Sequence, residues 1–473
     1  MKCKRPIPTQ YPANREIAFF VKPDKPHILF VNPWIHDFAA YDFWAKPLGL
    51  LTLAALLRQH GLEVSYMDCL DRFHPRARPT DPYARYGRGP YLKTRIEKPA
   101  GLHDVPRHYS RYGIPADWFR EDLNCLGKPD LICVTSQMTY WYPGLRETIA
   151  RLKALFPATP VILGGVYASL CRSHAEKYAG ADRVVTGPGE TQILKLVSEL
   201  TGFAVRPLFE PDDLDTYPYP AFDLQRKITY VPLLSAKGCP YDCAYCASSI
   251  LQPRRILRDP LAIVDEIQYW HRARGVREFV FYDDALLVNA NRHALPMLEQ
   301  IIRAGLNVRF HTPNAIHIRG LSPLAARLMF AAGFKTLRLG LETALFESRK
   351  ELDRKVTRRE FLRAVEALKA AGFEKDQVGA YLLVGLPGQS REAIADSFET
   401  VRESGLSPVP AYYSPIPQTA LWEQAVASSR YDLNADPIFT NNAIFPCQKE
   451  GFSWETVAFI KGQVSGQTDD LSV

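Results

Sequence analysis

Short apolar runs followed by stretches of helical periodicity recur along this chain, and they fall into two series. In the first, apolar runs at 27–33, 62–68, 130–136, 160–164 and 182–186 are interleaved with helix-period stretches at 47–60, 143–156, 170–179 and 190–200. Strands that alternate with helices are covered on both faces and assemble as a parallel sheet. The second series begins at 228, with apolar runs near 229–235, 277–282, 307–311, 336–341, 378–385 and 409–413. Its helical stretches include 260–274, 324–332, 358–371 and 390–404. Six such units predict a barrel or an open parallel sheet, with functional residues at the strands' carboxyl ends. Between the series, residues 210–227 hold Pro211-Asp212-Asp213 and Tyr217-Pro218-Tyr219-Pro220, which can continue neither a helix nor a central strand. The chain of 473 residues therefore divides into a leader (1–26), a first α/β domain (27–209), a linker (210–227), a second (228–425) and a C-terminal extension with a polar tail (426–473).

Composition narrows the class. A hydrophobic share of 47% and a charged share of 23% are those of a globular protein, and no apolar run approaches a membrane span. The amino terminus is basic without an apolar core of the secretory kind, and nine cysteines with no even framework agree with a reducing compartment. A cytoplasmic protein with no membrane partner is expected. The net charge of +7 is concentrated: residues 72–111 hold ten Lys and Arg against three Asp and Glu, a surplus equal to that of the whole chain. These residues open an insertion (72–127) that interrupts the first series and carries Tyr83, Tyr86, Tyr91, Tyr109 and Tyr112. Such a segment suits a cover over a substrate, a docking patch for an acidic electron donor, a track for nucleic acid with stacking aromatics, or a solvated loop.

The first run of the second series leads into Gly238-Cys239-Pro240-Tyr241-Asp242-Cys243-Ala244-Tyr245-Cys246. Three thiolates in one loop can hold a metal cluster, and a 4Fe-4S cube bound by three of them keeps one iron open. A structural zinc site is the competing reading, but it normally closes with two separated ligand pairs, and the remaining cysteines are scattered singly.

Cys-x3-Cys-x2-Cys after an apolar strand, with an aromatic before the last cysteine, resembles the radical S-adenosylmethionine (SAM) superfamily. The resemblance implies that Cys239, Cys243 and Cys246 ligate a 4Fe-4S cluster, that SAM takes the fourth iron, and that Tyr245 lies against its adenine. Reductive cleavage of SAM then yields a 5′-deoxyadenosyl radical, with a reductase or a ferredoxin- or flavodoxin-type protein as electron donor. Other matching elements follow at strand ends. Asp283-Asp284 resembles the element beside the methionine end of the cofactor, although an Asp pair is also a common helix cap. Glu342-Thr343 resembles a Gly-x-Glu-Ser-like contact with Thr for Ser, and Gly385, Pro387 and Gly388 a Gly-x-Pro-Gly element near adenine.

The first domain is similar to the cobalamin-binding, Rossmann-like domain that precedes the barrel in one branch of that superfamily. The pieces that match are Pro47-Leu48-Gly49, Asp68, Gly164-Gly165 and Gly187-Pro188-Gly189-Glu190. Gly164 and Gly165 would let a ligand approach the backbone at a strand end, or simply make a tight turn. The Asp-x-His-x-x-Gly motif that supplies a lower histidine ligand is absent; His36 occupies the corresponding first loop without matching surroundings.

The fold expected is thus a Rossmann-like doubly wound parallel sheet followed by a partial (β/α)6 TIM-like barrel. The function expected is radical SAM chemistry, with cobalamin-dependent methyl transfer to an unactivated position of a small molecule as the leading outcome. Cobalamin-independent rearrangement or oxidation, RNA modification, and a non-enzymatic iron–sulfur module are the alternatives.

Overall fold

The computed structural model describes residues 25–447, apart from 348, 350, 351, 354 and 355, together with positions 448, 453–455, 457, 458 and 462. Most of the leader and of the polar tail lie outside the described residues.

Strands β1 (His27–Asn32), β2 (Glu63–Asp68), β3 (Leu131–Val134), β4 (Val161–Leu163) and β5 (Arg183–Val184) form a parallel sheet in the order β5-β4-β3-β1-β2. All six residues of β1 are buried, as a central strand covered on both faces requires. The order reverses between β1 and β3, where sheets of this kind open a ligand crevice at the carboxyl ends. Helix α1 (Leu48–Gln59) follows β1 and buries Leu51, Ala54 and Leu57. The helix expected at 170–179 starts earlier and comes in two pieces, Val166–Leu170 and Arg172–Tyr178, joined at Cys171.

The insertion is ordered. Its helix Ala116–Cys125 accompanies a small antiparallel sheet in which Tyr109–Tyr112 pairs with Ile35–Asp37 and Lys93–Ile96. Tyr91, Tyr109 and Tyr112 are buried, so they offer no face for stacking bases; Tyr83 is exposed. His36 lies in this sheet, buried, with its Nε2 3.0 Å from the Glu147 carboxylate.

Strands β6 (Val231–Leu233), β7 (Glu278–Phe281), β8 (Arg309–His311), β9 (Phe334–Glu342), β10 (Val378–Val384) and β11 (Ser407–Tyr412) follow one another in space as in sequence, all parallel. Strands β6 and β11 are the two free edges, which makes the barrel partial. Because strand side chains alternate, Phe279, Phe281, Leu337, Leu339, Ala380 and Leu382 pack outward into the main core under the helices. Inward-facing Val280 and Tyr282 meet residues from the first domain instead: Trp44 and Tyr86 pack with Tyr230 in the barrel lumen. The Trp44 ring stacks on His311 with centroids 4.6 Å apart, and its Nε1 donates to the Tyr86 carbonyl at 2.9 Å.

Residues of the C-terminal extension return to the first domain. Asp436 accepts a hydrogen bond from the Tyr142 hydroxyl, and Asn441 Nδ2 donates to Asp37, which also accepts from Trp141 Nε1 at 2.6 Å. Burial pushes the Asp37 carboxyl up, against these hydrogen bonds.

Candidate active site

The cysteine loop leaves β6 through Ala236-Lys237, which pairs with Ile256-Leu257. Gly238 has φ +80°, and a Cβ there would lie 2.7 Å from the Arg254 carbonyl, so the loop's entry demands glycine. Its middle is clamped on both sides of Ala244: the amide donates to the Leu352 carbonyl at 3.0 Å, and the carbonyl accepts from the Leu421 amide at 2.9 Å. Cys243 is buried, Cys239 and Cys246 are half-buried, and none of the three is in a disulfide. The Ser248 amide donates to Cys246 Sγ at 3.4 Å, an arrangement that favours the thiolate. Cys239 Sγ lies 3.8 Å from His317 Nε2, and the His317 ring packs on Tyr241. Among the described residues no three His, Cys, Asp or Glu side chains gather tightly enough to hold a single metal ion. A cubane cluster makes a different demand, one thiolate per corner iron, and the three-thiol donor set of this loop fits it.

Other strand ends close around the loop. Tyr245, before the last cysteine, hydrogen-bonds to Glu342 at the end of β9; burial and then the Glu342 charge push its phenol far up. Glu342 is buried and sits at φ +64°, strain that a non-glycine residue adopts only where the surroundings enforce it. Thr343 Oγ1 accepts from the Leu345 amide at 3.1 Å and so shapes the turn after β9. The two aspartates after β7 separate in role. Asp283 is buried and accepts from the Ser235 amide at 3.1 Å and from its hydroxyl, tying β7 to the end of β6. Burial raises its carboxyl to about 6. Asp284 is half-buried and hydrogen-bonds to Ser248, just past the cysteines. After β10, Gly385 (φ +90°), Pro387 and Gly388 (φ +67°) form a turn organised by Gln389, whose Oε1 accepts from the Gly385 amide at 2.7 Å and whose Nε2 donates to Leu383. Gln389, Ser235 and His317 carry no motif signal; each is recognised only by what it touches.

A cavity of about 340 Å³ lies between the first sheet and the start of the barrel. Gly49, Gly164, Gly187 and Gly189 line one side and Pro232, Leu234 and Lys237 the other. The glycine pair divides here. A Cβ on Gly165 (φ +96°) would lie 2.3 Å from the Ser136 carbonyl, so that residue makes the tight turn. On Gly164 the nearest atom would be the Val185 carbonyl at 3.9 Å, and on Gly49 and Gly187 nothing lies within 4 Å. Those three leave open space for a ligand edge. Lys237, adjacent to the cysteine loop, pairs with Glu190 across the cavity's rim. Asp68, which ends β2, belongs to another, more polar cavity of about 510 Å³; it accepts from Asn32 Nδ2 at 2.8 Å, and burial raises it to about 6.

Residues 233–401 match the model of the radical SAM superfamily. The chain carries a radical SAM domain. Over 446 residues it is 21% identical to a cytidylyl-2-hydroxyethylphosphonate methyltransferase of Streptomyces wedmorensis, covering 80% of this chain and 78% of that one. An uncharacterised methyltransferase of Pyrococcus horikoshii is 24% identical over 332 residues, covering 64% and 70% respectively. Among solved structures, the radical SAM methyltransferase TsrM from Kitasatospora setae, with cobalamin and a [4Fe-4S] cluster bound, superposes with a TM-score of 0.63 at 17% identity, covering 86% of this chain and 76% of TsrM. The cobalamin-dependent SAM radical enzyme OxsB gives 0.57 at 12% identity, covering 85% of this chain and 55% of OxsB. The radical SAM fold, preceded by a Rossmann-like domain, is that of this chain, and the protein is an enzyme. No helix among the described residues is long and apolar enough to cross a membrane.

Proposed function

We propose that this radical SAM enzyme is a cobalamin-dependent methyltransferase acting on an unactivated position of a small molecule. The carrying observation is the cavity whose glycine edge, Gly49, Gly164 and Gly187, faces Leu234 and Lys237 at the base of the cysteine loop. It brings a cradle with three open glycine positions on its Rossmann wall, among Leu53, Ile162 and Val185, to the base of a three-thiol site. Together the bound groups would supply a radical for hydrogen abstraction and a methyl for transfer. The chain's own residues hold and shield them. Cys239, Cys243 and Cys246 are the cluster ligands, with the Ser248 amide supporting the Cys246 thiolate. Asp284, Glu342, Tyr245 and the Gly385–Gly388 turn line the SAM side, and the turn leaves backbone rather than side chains to face adenine. Asp283 and Thr343 position those groups through Ser235 and the turn after β9. His36, held by Glu147 in the small antiparallel sheet, is not among the residues lining the cavity and so would not face a corrin held there. Eight cysteines among the described residues that form no disulfide suit a reducing, cytoplasmic setting and a small electron-donor protein.

The test is anaerobic purification from cobalamin-fed cells, followed by reconstitution and reduction with SAM. Corrin absorption together with 5′-deoxyadenosine formation is the expected result. A corrin-free protein that still cleaves SAM would remove cobalamin and methyl transfer, leaving radical rearrangement or oxidation.

A further inference from the structure

TIM-type barrels normally fill their interior with branched apolar side chains. This one does not. Its inward positions include Glu278, Tyr282, Arg309, His311, Arg338 and Tyr381, and of these Tyr282, Arg309, Arg338 and Tyr381 keep part of their surface accessible. Glu278 is used up internally, paired with Arg309 and with His311 Nε2 at 3.0 Å. Arg338 is different. Its Nη1 donates to the Leu337 carbonyl at 2.9 Å, its remaining side-chain contact is the Tyr381 phenol, and no carboxylate among the described residues pairs with it. Gly379, its register partner on β10, makes the room: a Cβ there would lie 3.3 Å from Arg338 Nη1 and 2.6 Å from Val409. Gly379 needs no positive φ, so space is the reason for glycine. The charge environment points the same way. Burial and then the positive charge of Arg88 act to lower the Arg338 pKa, and Tyr381 is its only opposing neighbour. Arg88 itself is held over the Trp44 ring at 4.5 Å.

We propose that Arg338, flanked by Tyr381 and faced by Arg88, binds an oxyanion, a carboxylate or a phosphate-type group, of the substrate inside the barrel lumen. The desolvated guanidinium then finds the counter-charge that the fold withholds, and Tyr381 supplies a neutral hydrogen-bonding neighbour. Arg338 stands four residues before Glu342 on β9, deeper in the barrel by at most about 13 Å at the usual strand rise, which the bulge between Gly340 and Glu342 shortens, so the anionic group would anchor below the SAM side of the site. That the anion belongs to the substrate rests on the reading of the barrel as a SAM site; anion binding itself does not.

The experiment is calorimetric titration of the reconstituted full-length protein with malonate and with inorganic phosphate, for wild type, Arg338→Met, Arg338→Lys and Gly379→Ala. Saturable binding by wild type is expected, weakened about tenfold or more by Arg338→Met and less by Arg338→Lys. Gly379→Ala, which leaves the charge but crowds the guanidinium, should also weaken it and keeps the test open if Arg338→Met fails to fold. Without any anion, Arg338→Met should melt no lower than wild type, since it removes an uncompensated cation. Unchanged probe binding in Arg338→Met, or a lower melting temperature with normal binding, overturns the proposal. So does a matching loss of SAM affinity, which would assign the guanidinium to the cofactor's own carboxylate. SAM cleavage by wild type without probe binding removes this site alone, whereas probe binding lost in Arg338→Met with no SAM cleavage by wild type removes the radical reading and keeps the anion site.

Discussion

The two walls of the candidate active site are built by opposite means. On the barrel side every element is partnered: Gly238 is pressed against Arg254, Ala244 is clamped by Leu352 and Leu421, and Tyr245 is bonded to Glu342. On the Rossmann side an apolar wall, lined in part by Leu53, Ile162 and Val185, keeps gaps at Gly49, Gly164 and Gly187, where side chains would meet little or nothing. A site for a small, reactive group needs ligands fixed in direction, and that takes hydrogen bonds. A site for a large, flat group needs clearance, and that takes glycine. The same residue type therefore has two meanings within one molecule.

Substitutions can break this comparison. The largest effect is expected from Cys239→Ala, Cys243→Ala or Cys246→Ala, each of which should abolish reductive SAM cleavage and lower the iron retained after reconstitution, while the corrin spectrum of the first domain survives. Corrin binding lost with the cysteines would show that the walls are one site rather than two. Next, Glu342→Gln should weaken SAM binding by about tenfold or more, measured by titration, because in the proposed site its carboxylate makes a charge-assisted contact with the cofactor. The glycine pair comes third. Gly165→Ala should cost on the order of 2–3 kcal/mol in urea unfolding, its Cβ being driven into the Ser136 carbonyl. Gly164→Leu should fold with nearly unchanged stability yet lose corrin. Equal destabilisation by both substitutions would erase the distinction between turn and cradle.

The last effect is a pH dependence that the two halves should share. Each ends a strand with a buried aspartate raised from 3.8 to about 6, Asp68 in the first sheet and Asp283 in the barrel. A raised folded-state pKa means that the folded protein binds more protons between about pH 4 and 6, so stability falls as pH rises through that window and the full penalty stands above it. Each contributes on the order of 3 kcal/mol across the window. Asp68→Asn and Asp283→Asn should each flatten the decline in unfolding midpoint between pH 4.5 and 7 in cluster-free protein. A wild-type midpoint that rises over this range would remove both.

Local signals made much of this legible. The apolar runs located the eleven strands of the two parallel sheets within a few residues, because a strand covered on both faces is largely apolar. The cysteine spacing marked the loop, and Glu342 and Gly385 stood out at strand ends. What stayed illegible depends on partners far away in sequence. Asp283 and Asp284 look alike as neighbours, yet one turns inward to Ser235 and the other toward Ser248. The basic, tyrosine-rich insertion has a composition that suits nucleic acid, but Tyr91, Tyr109 and Tyr112 are core and Tyr86 enters the barrel lumen. The C-terminal extension gave no signal at all, and it fastens onto Asp37 and Tyr142 some 300 to 400 residues earlier.

Periodicity, proline and cysteine spacing act over a few residues, so the order of strands and helices, the two-sheet division and the thiol loop are written in the chain itself. Which face of each strand looks into the lumen is set by how the barrel closes. Nothing in Leu337-Arg338-Leu339 says on which side of the strand the arginine lies. Closing six strands around a lumen turns that polar face inward, and there a solvated charge becomes a desolvated one that a ligand can satisfy.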